Sequence, residues 1–232
     1  MIIFLSIVKN KTQPMLDVKR FTHKSWQIYQ LALRYNSIEK ENHYEPDSKR
    51  SRALDYHRHR PPTENEGTRY EIIDGELFMT RAPHWKHQRT CLNITLELEV
   101  WSRSSGLGQA TITPGVLFSE TDNVIPDVVW ASHERLAVLL DEAGHLTGAP
   151  DLVVEVLSPG VENERRDREA KLKLYASRGV KEYWIADWRL QQIEVYRREN
   201  ARLTLIATLL DNDELTSPLL PGFSCAVSRF FV

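Results

Sequence analysis

The sequence predicts an α/β protein in which a mixed β-sheet is flanked by helices, preceded by an irregular N-terminal extension. Three observations carry that reading. Asp151–Leu157 (DLVVEVL) is almost continuously apolar and rich in valine, as expected of a central strand covered on both faces. Two longer stretches, one before and one after it, place apolar residues at helical spacing. Between them lie short strand-like runs in an irregular order with no internal repeat, which favours a mixed α/β sandwich.

Taken along the chain, residues 1–60 are polar and irregular, ending in the His/Arg-rich HYEPDSKRSRALDYHRHRPP. One helix is expected near Ser25–Tyr35, where Trp26, Tyr29 and Leu33 recur at helical spacing, and Pro61-Pro62 closes the region. We read 1–60 as a weakly ordered basic extension and 61–232 as the folded domain. YEIID and ELFMT flank Gly75 and predict a hairpin. His87–Arg103 predicts a buried amphipathic helix, with Leu92, Leu96 and Val100 four apart and Cys91, Ile94, Leu98 and Trp101 broadening the apolar face. Strands are expected at Ala110–Phe118, Asp127–Ala131 and Asp151–Leu157, the last ended by Ser-Pro-Gly. A helix over Glu162–Arg178 follows, stopped by Gly179 at its C-terminal cap. Strands at Glu182–Asp187, Gln192–Arg197 and Leu203–Leu209 precede a proline-bounded tail ending AVSRFFV.

Charge narrows the partners. Residues 1–60 hold 12 Lys and Arg against 6 Asp and Glu, leaving 18 against 26 for the rest of a chain whose net charge is −2. A protein that coats DNA without selectivity is usually basic over its folded part, and this folded part is acidic. Action on nucleic acid would therefore need local basic patches and metal ions to offset clustered carboxylates. Cys91 and Cys225 are too far apart and too few for a disulfide framework or a metal-ligand spacing, so a reducing cytoplasm is expected. The apolar start MIIFLSIV is too short to span a bilayer and lacks the basic flank of a signal peptide, so no membrane association is expected. The ten glycines show no phosphate-cradling spacing, the eight histidines form no finger with cysteine, and Ser158 lacks a nucleophile elbow.

Three residues are chemically out of place. Glu155 sits inside a valine-rich central strand, where an ionised carboxylate is costly unless paired or coordinated. It shares a strand face with Val153 and Leu157. Asp127 follows Pro126 at the opening of the strand DVVWA. Lys171 falls near the middle of the most apolar side of its helix, with Asp167, Leu174, Tyr175 and Arg178 within about 60° of it on a helical wheel, whereas Lys173 points about 200° away. Each has a plainer reading: Glu155 as an acid paired with a nearby cation, Asp127 as a turn or cap aspartate, Lys171 as a lysine that snorkels out or bridges Asp167. Together they make a different kind of sense. Hard cations such as Mg²⁺ take carboxylate oxygens and keep waters, leaving room for a phosphate, and a lysine can stabilise the charge that builds there.

RYEIIDGEL, the helix opening at His87, IPDVVWAS, APDLVVEVLSPG, RDREAKLKLYASRGVKEYWIADW, IEVYR and PLLPGF, in that order, resemble the Uma-two family of restriction-endonuclease-like proteins, a branch of the PD-(D/E)XK superfamily. The likeness runs from about Pro61 to the C-terminus. It implies a restriction-endonuclease-like fold, a Mg²⁺-dependent (or Mn²⁺-dependent) phosphodiesterase site and DNA as substrate. Asp127 matches the PD acid and Glu155 the second acid, the two metal ligands. Leu157 stands where the lysine of (D/E)XK would be; in this branch the lysine comes from the following helix, and Lys171 occupies that position. Glu71 and His87 match accessory positions, Glu71 as an outer metal ligand and His87 as a phosphate contact or proton carrier, though a hairpin or helix-start role serves each equally well. The alternative to an endonuclease is a catalytically silent nuclease-fold module that binds nucleic acid or regulates. Cutting both strands calls for two sites, which makes a homodimer a natural assembly.

Overall fold

The computed structural model describes residues 69–80 and 82–232. The expected basic extension over 1–60 and the helix near Ser25–Tyr35 lie outside the described residues. β1 (Arg69–Ile73) and β2 (Glu76–Thr80) form the expected hairpin. Its two-residue turn has positive φ at both Asp74 (54°) and Gly75 (76°), the left-handed geometry that matches the twist of paired strands and favours Asp-Gly.

The first helix, α1 (Trp85–Ser105), begins at an N-cap His84 and ends on Gly106 at φ 68°. Its buried face is His87, Cys91, Ile94, Leu98 and Ser102, a repeat of three and four residues. This corrects the expected face. Leu92, Leu96 and Val100 are 50%, 55% and 59% exposed, because at about 100° per residue they fall on the side of the helix opposite Ile94 and Leu98.

The expected strand Ala110–Phe118 is two strands in different sheets. β3 (Gly108–Ile112) ends at Thr113, whose φ of 49° turns the chain, and β4 (Val116–Ser119) follows after Pro114-Gly115. Then come β5 (Asp122–Val124), β6 (Val128–Ser132), the short α2 (His133–Leu139) and β7 (Leu152–Val156). The expected helix over Glu162–Arg178 is one helical run in three parts: α3 (Val161–Arg165), a π-helical turn (Arg166–Lys171) and α4 (Leu172–Arg178), stopped at Gly179. β8 (Glu182–Asp187), β9 (Gln192–Glu199) and β10 (Arg202–Leu210) lie where strands were expected. The tail is more than a tail. It forms β11 (Glu214–Thr216), β12 (Ser224–Ala226) and a 3₁₀ turn (Val227–Phe230).

Six strands make the main sheet in the order β10-β9-β8-β7-β6-β3, with β7 and β8 parallel and the other pairs antiparallel. A second sheet, β2-β1-β5-β4, is antiparallel throughout. One face of the main sheet packs Val128, Trp130, Val154 and Trp184 against Ile94 and Leu98 of α1 and against Leu215, Phe223 and Phe230 of the C-terminal hairpin. The other face packs Val129, Val153, Leu157 and Tyr183 against Leu174 and Tyr175 of α4 and against Ile73, Val116 and Val124 of the second sheet. β7 is thus covered on both sides, as its run of valines requires. The described part is a mixed α/β structure, and no described helix is long and apolar enough to cross a membrane.

The two leucines of α1 give a direct test of this packing. Leu98→Ala, at a fully buried position, is expected to cost about 2–5 kcal/mol in urea denaturation. Leu96→Ala, on the outward face, is expected to stay within about 0.5 kcal/mol of the parent.

Candidate active site

Strand pairing brings the first two acids together. β6 and β7 are antiparallel with Val128 opposite Val154 and Val129 opposite Val153. Continuing that register by one place sets Asp127 opposite Glu155, at an edge where both side chains leave the sheet on the side of α4. The Val156 N–H donates to Asp127 Oδ2 at 2.9 Å, which fixes the Asp127 carboxylate against β7. Asp127 and Glu155 are buried and line a narrow cleft with Arg69, Glu71, His87, Arg166 and Lys171.

Lys171 arrives from the π turn. Its side chain is 1% exposed, and its Nζ donates to Glu155 Oε1 at 2.9 Å. The same Nζ lies 2.9 Å from Glu71 Oε1 and 3.9 Å from Asp167 Oδ1. Tyr175, one turn further on, donates its hydroxyl to Glu155 Oε1 at 2.7 Å. Glu71 reaches the cluster from β1, where its Oε1 also accepts the Ile125 N–H at 2.8 Å. Lys173 points outward, 3.4 Å from the exposed Asp74, as the wheel predicts. Leu157, at the usual lysine position, is fully buried among Val153, Leu174 and Tyr175.

His87 closes the other end. It sits in the first turn of α1, and its Nε2 lies 3.3 Å from Asp127 Oδ2 while Nδ1 lies 3.5 Å from Cys91 Sγ. All five residues singled out in the sequence, Glu71, His87, Asp127, Glu155 and Lys171, therefore meet in one cleft. The sequence reading missed Arg166. It is 7% exposed, and its guanidinium donates to Asp167 Oδ1 at 3.1 Å and to Thr80 Oγ1 at 2.8 Å. On a regular helix Arg166 stands about 140° from Lys171. A π turn holds roughly 4.4 residues, which brings that angle to about 50° and swings Arg166 into the cleft. Nothing in residues 162–178 signals the wider turn.

The electrostatics are uneven. Four buried carboxylates, Glu71, Asp127, Glu155 and Asp167, face two buried cations, Arg166 and Lys171. Burial pushes the Glu155 carboxyl up; Lys171 pulls it back, but Asp127, Asp167 and Glu71 add to the rise, and the result lies well above the usual carboxylate range. Burial also favours a protonated Asp127, yet the hydrogen bond and charge of His87, the charge of Lys171 and the Val156 N–H hold it below that range. Burial opposes the charge on Lys171 too, but Glu155, Glu71 and Asp167 keep the amine protonated.

That crowding of buried carboxyl groups, which keeps the proton on Glu155, is what a bound divalent cation would relieve, and the donor set suits one. Among the described residues no hydrogen bond falls on Asp127 Oδ1 or Glu155 Oε2, although Arg69 Nη1 stands 3.8 Å from Asp127 Oδ1. A second group of ligand atoms exists: those of His87, Cys91 and Asp127 lie within 4.8 Å of one another. Burial and the charges of Asp127 and Glu155 push the Cys91 thiol far up, however, so it presents S–H rather than thiolate. A hard cation takes oxygen in preference, and the carboxylates are the better ligands for it.

The Uma2 family, described as "Putative restriction endonuclease", matches residues 53–228. No curated protein matches. Among solved structures, "a putative nuclease belonging to DUF820" from Anabaena variabilis ATCC 29413 superposes with a TM-score of 0.57 at 18% identity, over 70% of this chain and 89% of that one. At that identity the likeness shows a shared fold.

The His87–Asp127 contact predicts a titration. Burial lowers the affinity of His87 for a proton, but the hydrogen bond and charge of Asp127 outweigh it and raise the imidazole above 6.5. Because the folded value is raised, the stabilisation from this contact is fully present below pH 6.5 and fades as pH rises through the folded value. Imidazole NMR of the full chain is expected to place the His87 midpoint above 6.5, and Asp127→Asn to lower it. An unchanged midpoint in that variant would show that the two groups do not interact.

Proposed function

The chain belongs to the Uma2 family, and from that premise we propose that it is a metal-dependent endonuclease hydrolysing phosphodiester bonds of DNA, with Asp127 and Glu155 holding Mg²⁺ or Mn²⁺. The observation that carries the proposal is the contact of Lys171 Nζ with Glu155 Oε1 at 2.9 Å beside Asp127. An amine from a helix thereby takes the place left by Leu157, and a carboxylate pair and an ammonium occupy one cleft.

A cation bound by the two acids would supply Lewis-acid polarisation of the phosphoryl group and a water of lowered pKa. The chain's own residues supply the rest. Asp127, kept ionised by His87 and Val156, is a ready ligand at neutral pH, whereas Glu155 gives up its proton as positive charge enters the cleft. Lys171 cannot easily lose its proton, so it acts as a fixed positive donor: it orients a water or stabilises charge developing on the phosphate. Its second partner, Glu71, holds the amine in place and lies close enough to serve as an outer ligand. Protonated His87 can contact a phosphate oxygen or pass a proton from Nε2. Arg69 and Arg166 add positive charge to the walls and offset part of the carboxyl cluster that a polyanion would meet. Two copies of the site, as in a homodimer, would cut both strands.

Two measurements on the purified full chain test this reading. Supercoiled plasmid should be nicked or linearised in Mg²⁺ or Mn²⁺ and left intact by chelator, and Asp127→Ala, Glu155→Gln and Lys171→Ala should each slow cleavage by about 10²–10³-fold. Saturating divalent ion should also raise the melting temperature, by about 2.7 kcal/mol of added stability at a hundredfold excess over Kd, and fail to do so in Asp127→Ala. A chain that neither cuts DNA nor gains stability from Mg²⁺ or Mn²⁺ is not this enzyme.

A further inference from the structure

Beside the cleft, on the surface, is a pair of rings that the proposed chemistry does not use. His84 and Trp188 stack with centroids 4.8 Å apart and planes 2° from parallel. Trp188 follows β8, packs its inner side against the main core and donates its indole N–H to the Leu157 carbonyl at 3.1 Å. His84 is the N-cap of α1, and its Nδ1 accepts the Lys86 N–H at 3.1 Å. Chain neighbours of both rings line the cleft: Pro83 and His87 near His84 in α1, and Val156 and Ser158 on either side of Leu157, whose carbonyl accepts the Trp188 N–H.

Two features make the stack more than a cap. N-cap positions favour Ser, Thr, Asp and Asn, which bond the same N–H with a shorter, cheaper side chain. Here an exposed imidazole makes a hydrogen bond and stacks on a parallel ring, and ordering a surface side chain without burying it costs entropy with little return in stability. The surroundings are also those of a nucleotide site. Trp85, next in sequence, is 76% exposed, and Lys86 Nζ lies 5.9 Å from the Trp188 centroid. Flat rings with cations beside them bind bases by stacking and the adjoining phosphates by charge.

We propose that His84, seated on Trp188 with Trp85 and Lys86 beside it, is a base-stacking subsite that takes an unpaired nucleotide next to the phosphodiester held in the cleft. It rests on the phosphodiesterase reading above and deepens it by naming the substrate form. A base inside a duplex has both faces covered by its neighbours, so it can reach a protein ring only at an end, in a gap or after being turned out of the stack, which costs a few kcal/mol. A single strand or a frayed end offers the base without that cost. The subsite therefore favours single-stranded or locally unpaired DNA over intact duplex.

The test uses the full chain carrying Asp127→Asn, so that binding is read without cleavage, and three labelled DNA probes of roughly twelve nucleotides: a single strand, the same sequence as duplex, and a single strand of abasic sugar–phosphate. Anisotropy should show the single strand binding about tenfold more tightly than either of the others. Adding His84→Asn keeps a side chain that caps the helix but removes the ring; it should abolish the advantage over the abasic strand and leave affinity for the abasic strand unchanged, with an unaltered melting curve. Trp85→Ala should remove part of the same advantage. Equal affinity for the normal and abasic strands, or an advantage that survives His84→Asn and Trp85→Ala together, overturns the subsite while leaving the phosphodiesterase reading intact. Failure of all three probes to bind overturns the subsite, while the phosphodiesterase reading stands or falls separately on plasmid cleavage by the parent chain.

Discussion

An ammonium group almost wholly removed from water sets the terms for everything around it. An isolated ion buried in this way costs several kcal/mol even after the protein relaxes, so the fold around Lys171 has to bring anions to it. Glu71 comes from the second sheet, Glu155 from the centre of the main sheet and Asp167 from the same helical turn. The amine is therefore the point at which two sheets and a helix are tied. Moving any one of them away weakens the compensation of a charge held in the interior. Stability and the geometry of the cleft thus depend on the same contacts.

The two acids that face each other across β6 and β7 are not equivalent. Asp127 is held low by His87 and by a backbone N–H, while Glu155 is held high by burial and three neighbouring carboxylates. Pairs of titratable groups pushed in opposite directions are a common mark of sites in which one group must stay charged and the other must respond. Here the responding group is the one in contact with Lys171 and Tyr175, so any positive charge entering the cleft is felt first where the amine is anchored.

Much of this was legible in the sequence, and the exceptions have physical causes. A charged residue in an apolar stripe can be seen without coordinates, which is why Glu155 and Lys171 stood out and why a helical wheel separated Lys171 from Lys173. The wheel worked for Lys171 because its neighbours Asp167, Leu174 and Tyr175 keep the same side of the helix in either geometry. It failed for Arg166, because the π turn rotates that residue by about 90° relative to Lys171 and no side chain announces it. The misjudged face of α1 has a different origin: with apolar residues at 91, 92, 94, 96, 98, 100 and 101, periodicity alone does not decide which side meets the sheet. The break at Thr113 was readable, since Pro114-Gly115 marks a turn, but the strand-like runs on either side were joined across it. The closing segment looked like a tail because its apolar residues are spaced by turns; their burial depends on a hairpin partner ten residues away.

The lysine that is missing from β7 shows what the site constrains and what it leaves open. A strand places alternate side chains on one face, so a lysine at 157 would share a face with Glu155 and Val153. In this chain that position points into a cluster of Val153, Leu174, Tyr175 and Tyr183, where leucine gains from burial and an amine would lack partners. The amine comes instead from the helix that covers that face, and it meets Glu155 from the opposite direction. What the carboxylates require is a cation at one point in space, whichever backbone carries it. Once Lys171 meets that requirement, position 157 is released to the hydrophobic core and the helix is no longer free, because every residue that orients Lys171, from Glu71 to Tyr175, becomes part of the site.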